Sequence, residues 1–127
     1  MRFATHNLPS LALLALSLCG SAHAADYEVG TSLVCDTPAQ VERFVTLFAG
    51  DARSAVDIIN TEQHNPAACA LVNVAYLRGS RIEIARHGDS AFEIVRILVV
   101  GIDNGAGIQA IEPSAYFALF DVKEYAI

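Results

Sequence analysis

The strongest periodic pattern in the chain is helical and begins at Thr37. Thr37 is a residue type that caps helices, Pro38 suits the first helical position, and Gln40 can complete a capping box with Thr37. The apolar residues that follow have the spacing of one helical face: Val41, Phe44, Val45 and Phe48. Gly50 stands where a glycine commonly ends a helix. The pattern therefore predicts an amphipathic helix.

A second helix is predicted directly after the first. Asp51 can cap it, and its inner face carries apolar residues, which are Ala52, Ala55, Val56 and Ile59. The run His64-Asn65-Pro66 ends it, because the residue before a proline avoids the helical region. Before the helices, Tyr27 to Val34 alternates weakly and predicts a short strand. The first part of the domain is therefore a strand followed by a helical hairpin.

After Leu71 the pattern changes to the alternation that is typical of strands. Gly79-Ser80 predicts a two-residue hairpin turn, and His87-Gly88-Asp89 predicts another turn. The long segment Phe92 to Ile102 is apolar on both faces apart from Glu93 and Arg96, which indicates a central strand. The final part predicts a turn, a short strand, a break and a last strand, at Asn104–Gly107, Ile108–Ile111, Pro113-Ser114 and Tyr116–Val122.

This order predicts an α+β domain in which the N-terminal strand and the helical hairpin pack on a curled antiparallel sheet or a small SH3-like barrel. The stretch Ile111 to Tyr116 resembles the turn before the last strand of SH3 barrels. The aromatic ligand groove of that family, including its tryptophan, is absent from the sequence. The resemblance therefore favours a small barrel and does not indicate binding of proline-rich peptides.

The first 24 residues have the pattern of a secretory signal peptide. Arg2 opens a basic segment, Leu8 to Leu18 is apolar, and Ala22-His23-Ala24 offers the small residues that signal peptidase requires. The apolar run is shorter than the roughly 20 residues that span a bilayer, so we expect no transmembrane anchor. Cleavage after Ala24 leaves residues 25–127 as one domain in the periplasm or outside the cell.

Cysteine usage and charge narrow the class of protein further. Cys35 and Cys69 remain after cleavage, and in an oxidising compartment we expect them to form a disulfide that clamps the helical hairpin. Their spacing is far wider than that of a redox-active Cys-x-x-Cys pair. A net charge of −6 argues against nucleic acid and anionic lipid as partners held by bulk electrostatics.

The residues that could carry chemistry are few. His64 lies at a predicted helix end, and His87 lies in a predicted turn with Asp89. A metal site would need both histidines to converge with Asp89 or Glu83, and their spacing does not favour this. No serine lies in a Gly-x-Ser-x-Gly motif. We expect no metal, no cofactor and no catalytic set, and a weak polar site at most.

Three arginines form the more interesting group. Arg78 and Arg81 would face each other across the predicted Gly79-Ser80 turn, and Arg96 lies on the predicted central strand. An arginine in an apolar strand needs a partner, and Glu83 is the first candidate. The alternative is that the three arginines bind an anion or a partner, because guanidinium suits carboxylate and phosphate.

Seven segments spread over the chain are similar to a group of small exported proteins of alphaproteobacteria. They are Cys35–Pro38, Val41–Val45, Ile59-Asn60, Pro66–Cys69, Val74–Tyr76, Ile94–Gly101 and Tyr116–Phe120. The resemblance implies the periplasm of a Gram-negative cell as the location. It implies no activity and no site residues.

These observations favour a non-enzymatic module that binds a protein or an envelope component through a strand edge or an exposed helix face. The alternative is a small metal-dependent or hydrolytic enzyme that uses His64 and His87 with nearby carboxylates, which predicts that these side chains share one pocket. Self-association through the apolar last strand is a third hypothesis. The oligomeric state stays open.

Overall fold

The computed structural model describes residues 26–122, so the predicted signal peptide lies outside the described residues. The elements along the chain are β1 (Glu28–Cys35), α1 (Pro38–Leu47), α2 (Ala52–Glu62), β2 (Cys69–His87), β3 (Ser90–Asp103) and β4 (Ile108–Asp121). The predicted α+β class with two helices and an antiparallel sheet is confirmed.

Local hydrogen bonds begin both helices where the sequence predicts. The Thr37 hydroxyl accepts from the Gln40 amide at 3.2 Å, and the Thr37 amide donates to the Gln40 side-chain oxygen at 3.1 Å. This is the predicted capping box of α1. Asp51 caps α2 by accepting from the Arg53 and Ser54 amides at 3.1 and 3.3 Å. Gly50, with φ of 100°, makes the reversal between the two helices.

The loop after α2 is organised by Asn60. Its side-chain amide donates to the carbonyls of Pro66 and Cys69, each at 3.0 Å, and its oxygen accepts from the Cys69 amide at 2.8 Å. These bonds fix the start of β2 next to the end of α2. Cys69 stands directly opposite Cys35 in the β1–β2 register, and the two form the predicted disulfide. Closing a loop of 34 residues gives this bond about 3.5–4 kcal/mol of stabilisation in the chain-entropy model.

The four strands lie in the order β1-β2-β3-β4, and the sheet curls until β4 meets β1 again. Within the described residues, β1 pairs with β4 at two positions, Val34 with Ala118 and Cys35 with Phe117. The sheet is therefore closed at one end of β1 and open in backbone pairing at the other. The likeness to an SH3 barrel stays a prediction.

The predicted turn at Gly79-Ser80 is wrong, because β2 is one continuous strand from Cys69 to His87. The strand instead changes register with β3 twice between Arg78 and Glu83. A Cβ atom on Gly79 would lie 2.7 Å from the Arg96 carbonyl oxygen. Gly79 thus allows β2 and β3 to approach closely at a bulge. The sequence instead predicts that this glycine forms a hairpin turn.

At the predicted break at Pro113-Ser114 the chain stays within one strand, because β4 runs from Ile108 to Asp121. The β3–β4 pairing is nevertheless interrupted there, since the register shifts between Val99 opposite Ser114 and Gly101 opposite Ala110. Among residues 26–122, β4 pairs with β3 on one side, and its pairing with β1 on the other side begins only at Phe117. Pro113 therefore lies in the stretch between Ala110 and Ser114 that pairs with neither neighbouring strand, where its missing amide breaks no ladder.

The curled sheet has an apolar core on each of its two faces. The core between the helices and the sheet includes Val41, Phe44, Val45, Ala55, Ile59 and Ile94. The second core includes Val34, Val74, Tyr76, Val95, Ile97 and Val99. Among residues 26–122, residues of the two helices belong to the first core and not to the second.

Candidate functional site

Arg78 is engaged within the protein. Its guanidinium donates to both carboxylate oxygens of Glu28, at 3.1 and 3.2 Å, and its carbon lies 3.8 Å from the centroid of the Phe120 ring. The Tyr76 hydroxyl donates to the same carboxylate at 3.2 Å. The hydrogen bond from Arg78 lowers the pKa of Glu28. Arg78 therefore joins β1, β2 and β4 around one mouth of the curled sheet.

The other two arginines differ from each other. Arg81 pairs with Glu93 at 2.8 Å, across the β2–β3 ladder. Arg96 is exposed and has no carboxylate within 4.0 Å among residues 26–122. The expected pair between Arg96 and Glu83 does not form, because the bulges of β2 place Glu83 opposite Ile94. Two of the three predicted anion-binding arginines thus already hold carboxylates of this chain.

Glu83 instead lies beside Glu42 of α1. A hydrogen bond between the two carboxyl groups, which requires a shared proton, raises the pKa of Glu83. Burial and the negative charge of Glu42 act in the same direction. The two carboxylates therefore repel each other at neutral pH, at the boundary between α1 and the sheet.

The two histidines line different cavities. His64 follows α2 in a left-handed conformation, with φ of 52°, and lines an open depression of about 490 Å³ together with Asp57, Asn60 and Thr61. His87 ends β2 and lines an apolar cavity of about 210 Å³. The part of the chain that the structure describes holds no group of three or more His, Cys, Asp or Glu side chains suited to a metal ion. The structure thus does not bring together the residues that the enzymatic alternative requires.

The apolar cavity lies between α1, the β2–β3 hairpin and β4. Six residues line it: Phe44, Val45, Phe48, His87, Phe92 and Leu119. Phe44 and Val45 are buried, whereas Phe48, Phe92 and Leu119 are half-buried. No polar atom of these residues contributes to the accessible wall. The cavity is therefore an apolar recess that opens at the margin of the helical layer.

Two local features build this recess. The helical period brings Phe44 and Phe48 to one side of α1, where their rings stack with centroids 5.7 Å apart. The β2–β3 hairpin turns at Gly88, with φ of 61°, and the register pairs His87 with Ser90. The hairpin tip thus carries His87 to the margin of the cavity. The confirmed turn at His87-Gly88-Asp89 is the one sequence signal that pointed to this place.

An acidic recess adjoins the apolar one. It has a volume of about 370 Å³ and is lined by Asp89, Ser90, Ala91, Phe92, Asp121 and Val122. Phe92 lines both recesses, and it pairs with Asp121 in the β3–β4 register. Asp89, predicted as part of a polar site with His64 and His87, is thus placed near His87 alone.

The comparisons with known proteins assign no class. Neither a protein-family model, nor a curated protein, nor a solved structure matches the chain. Among the helices of residues 26–122, none has the length and hydropathy needed to cross a membrane.

Proposed function

We propose that this protein is an exported, non-enzymatic binding module that takes one apolar side chain of a partner protein into the cavity between α1 and the β2–β3 hairpin. The observation that carries the proposal is the cavity itself, with an accessible wall that is apolar throughout. Apolar recesses at the surface are where hot-spot side chains of partner proteins are commonly buried.

The size of the cavity favours one side chain over a whole ligand. Pockets that bury small molecules have volumes of about 300–1,000 Å³ and contain a few polar groups that orient the ligand. This cavity has a volume of about 210 Å³. A recess of this size and chemistry accepts an aromatic or aliphatic group and offers little to orient a polar substrate.

The charge near the cavity favours a protein over an envelope lipid. Asp89 and Asp121 line the neighbouring recess, and the whole chain has a net charge of −6. Anionic headgroups would be repelled at this surface. A protein segment can combine an apolar anchor with neutral or basic neighbours.

Export is the part of the proposal that rests on the cysteines and the leader. The Cys35–Cys69 disulfide suits an oxidising compartment such as the periplasm. The leader pattern predicts cleavage after Ala24. N-terminal sequencing of the protein from cells that produce it should give Ala25 as the first residue, and a start at Met1 would contradict export by this leader.

Photo-cross-linking in cells that export the protein tests the binding function. A benzophenone amino acid in place of Phe48 should cross-link one discrete partner protein, because this aromatic ring stands at the cavity wall. The same group in place of Glu112, which is exposed on β4, is the matched control and should not give that product.

A variant in which a larger side chain fills the cavity tests whether the cross-link depends on the cavity. Val45→Phe, or Leu119→Phe if the first variant unfolds, should abolish the cross-link from position 48 while the far-ultraviolet circular dichroism stays unchanged. A cross-link that persists in a folded, filled variant would contradict the proposal, as would the same product from position 112.

A further inference from the structure

The apolar cavity and the acidic recess share one lining residue, Phe92. Asp121 stands opposite Phe92 in the β3–β4 register, and Asp89 lies in the turn that follows His87. The carboxylates at the hairpin tip and at the end of β4 therefore neighbour the residue that the two recesses share.

These carboxylates are available to a partner as far as the described residues show. Within residues 26–122, neither Asp89 nor Asp121 makes an ion pair with an arginine of the chain. Arg86 precedes His87 directly, so it leaves β2 on the face opposite the apolar cavity, because adjacent strand residues face opposite sides of a sheet. Arg86 stands opposite Ala91 of the acidic recess, and within residues 26–122 it makes no ion pair with Asp89 or Asp121. The face that holds the cavity thus presents negative charge next to an apolar recess.

We propose that the partner segment carries a lysine or arginine next to the apolar residue that enters the cavity. This inference rests on the proposed function and specifies the chemistry of its partner. The apolar side chain supplies the buried anchor, and the neighbouring cation meets Asp89 and Asp121 at the rim. Charge complementarity of this kind selects among partners that share the same anchor.

A titration with three short peptides followed by nuclear magnetic resonance tests the inference on the full chain. The peptides are acetylated, amidated tripeptides with phenylalanine in the centre and two lysines, two glycines or two glutamates as neighbours. At low salt, we expect every peptide that binds to shift the amide signals of Phe92 and Leu119. The lysine peptide should bind about fivefold more tightly than the glycine peptide, near the upper end for one exposed ion pair.

The variant Asp89→Asn/Asp121→Asn isolates the charge. It should reduce the preference for lysine to less than about twofold and leave binding of the glycine peptide unchanged, since the apolar wall is intact. Glu112→Gln removes an exposed carboxylate of β4 that lines neither recess, and it should keep the preference. High salt should lower the affinity of the lysine peptide and leave the affinity of the glycine peptide unchanged, because salt screens the exposed charges.

The outcomes separate the two proposals. If the lysine and glycine peptides bind the cavity equally well, the inference about the cation is overturned and the cavity remains a binding site. If no peptide shifts Phe92 or Leu119, the proposed function itself is contradicted. A preference that survives in Asp89→Asn/Asp121→Asn would place the charge recognition elsewhere and would also overturn the inference.

Discussion

Arg78 of β2 stacks on Phe120 of β4, with 3.8 Å between the guanidinium carbon and the ring centroid. The same guanidinium holds Glu28, the first residue of β1, through two hydrogen bonds. Within the described residues, the backbones of β1 and β4 pair only near Cys35, at the other end of β1. The side chains of these three residues therefore close the part of the sheet that the backbone leaves open.

Replacing Arg78 should destabilise the protein more than replacing an arginine that has only an ion pair. Arg43 is the matched control, because it makes two hydrogen bonds to Glu62 at a similar exposure, 44% against 39% for Arg78. We expect Arg78→Met to lower the free energy of unfolding by about 1–2 kcal/mol, through an exposed ion pair and a cation–π contact. Arg43→Met should cost less in the same urea titration, because an exposed ion pair is screened by solvent. Equal losses would mean that the stacking on Phe120 contributes nothing.

Gly79 should not tolerate a side chain. Its Cβ would meet the Arg96 carbonyl oxygen at 2.7 Å, so Gly79→Ala should separate β2 from β3 at the bulge. We expect a loss of about 1–3 kcal/mol in the free energy of unfolding, the usual range for overpacking. Gly30→Ala is the control, because a Cβ there meets none of the described atoms within 4 Å. An equally stable Gly79→Ala variant would show that the close approach does not constrain this position.

The same glycine shows where sequence reasoning failed. A Gly-Ser pair between two alternating segments is a sound turn signal, yet a glycine can equally serve a close contact between strands, and both leave the same local pattern. The difference depends on Arg96, which is 17 residues away in sequence. In contrast, the caps at Thr37 and Asp51 were predicted correctly because their partners lie within three residues.

Glu83 should destabilise the protein at neutral pH. The hydrogen bond to Glu42 raises the pKa of Glu83 in the folded state, so the folded state holds this proton to higher pH than the unfolded state. Above the raised pKa, the proton is lost and the two carboxylates repel each other. Glu83→Gln should therefore raise the melting temperature at pH 7, and the gain should vanish below the ordinary value of 4.5.

Three companion variants check this interpretation. Glu42→Gln should give a gain of the same sign, and the double variant should gain less than the sum, because either substitution already removes the repulsion. Glu112→Gln, in an exposed position of β4, should leave the melting temperature unchanged. A gain from Glu83→Gln that persists at acid pH would contradict the account.

His64→Gly should stabilise the protein. His64 adopts φ of 52°, a region that costs a residue with a Cβ about 1–2 kcal/mol. Glycine removes this strain but has a more disordered unfolded state, so we expect a net gain of about 0.5–1 kcal/mol. Gln63→Gly is the control, since Gln63 has φ of −85° and should lose stability. Thermal unfolding of both variants would show opposite shifts, and a loss in His64→Gly would contradict the prediction.

The candidate site was harder to predict than the fold. The apolar residues of the cavity come from α1, the β2–β3 hairpin and β4, and each fits the pattern of an ordinary core position. What makes them a site is that the hairpin tip and the end of β4 leave a gap beside Phe48. Such a gap depends on how three distant segments pack, so the spacing of apolar residues along the chain cannot predict it.

The most direct test of the account is whether a free apolar side chain enters the cavity. N-acetyl-phenylalanine methylamide, titrated into the protein and followed by amide and aromatic nuclear magnetic resonance signals, should shift Phe48, Phe92 and Leu119 together with one saturable curve. The alanine analogue should not produce these shifts. If the phenylalanine probe leaves those three residues unchanged, or shifts residues scattered over the surface without saturation, the apolar cavity is not a binding site and the proposed function fails.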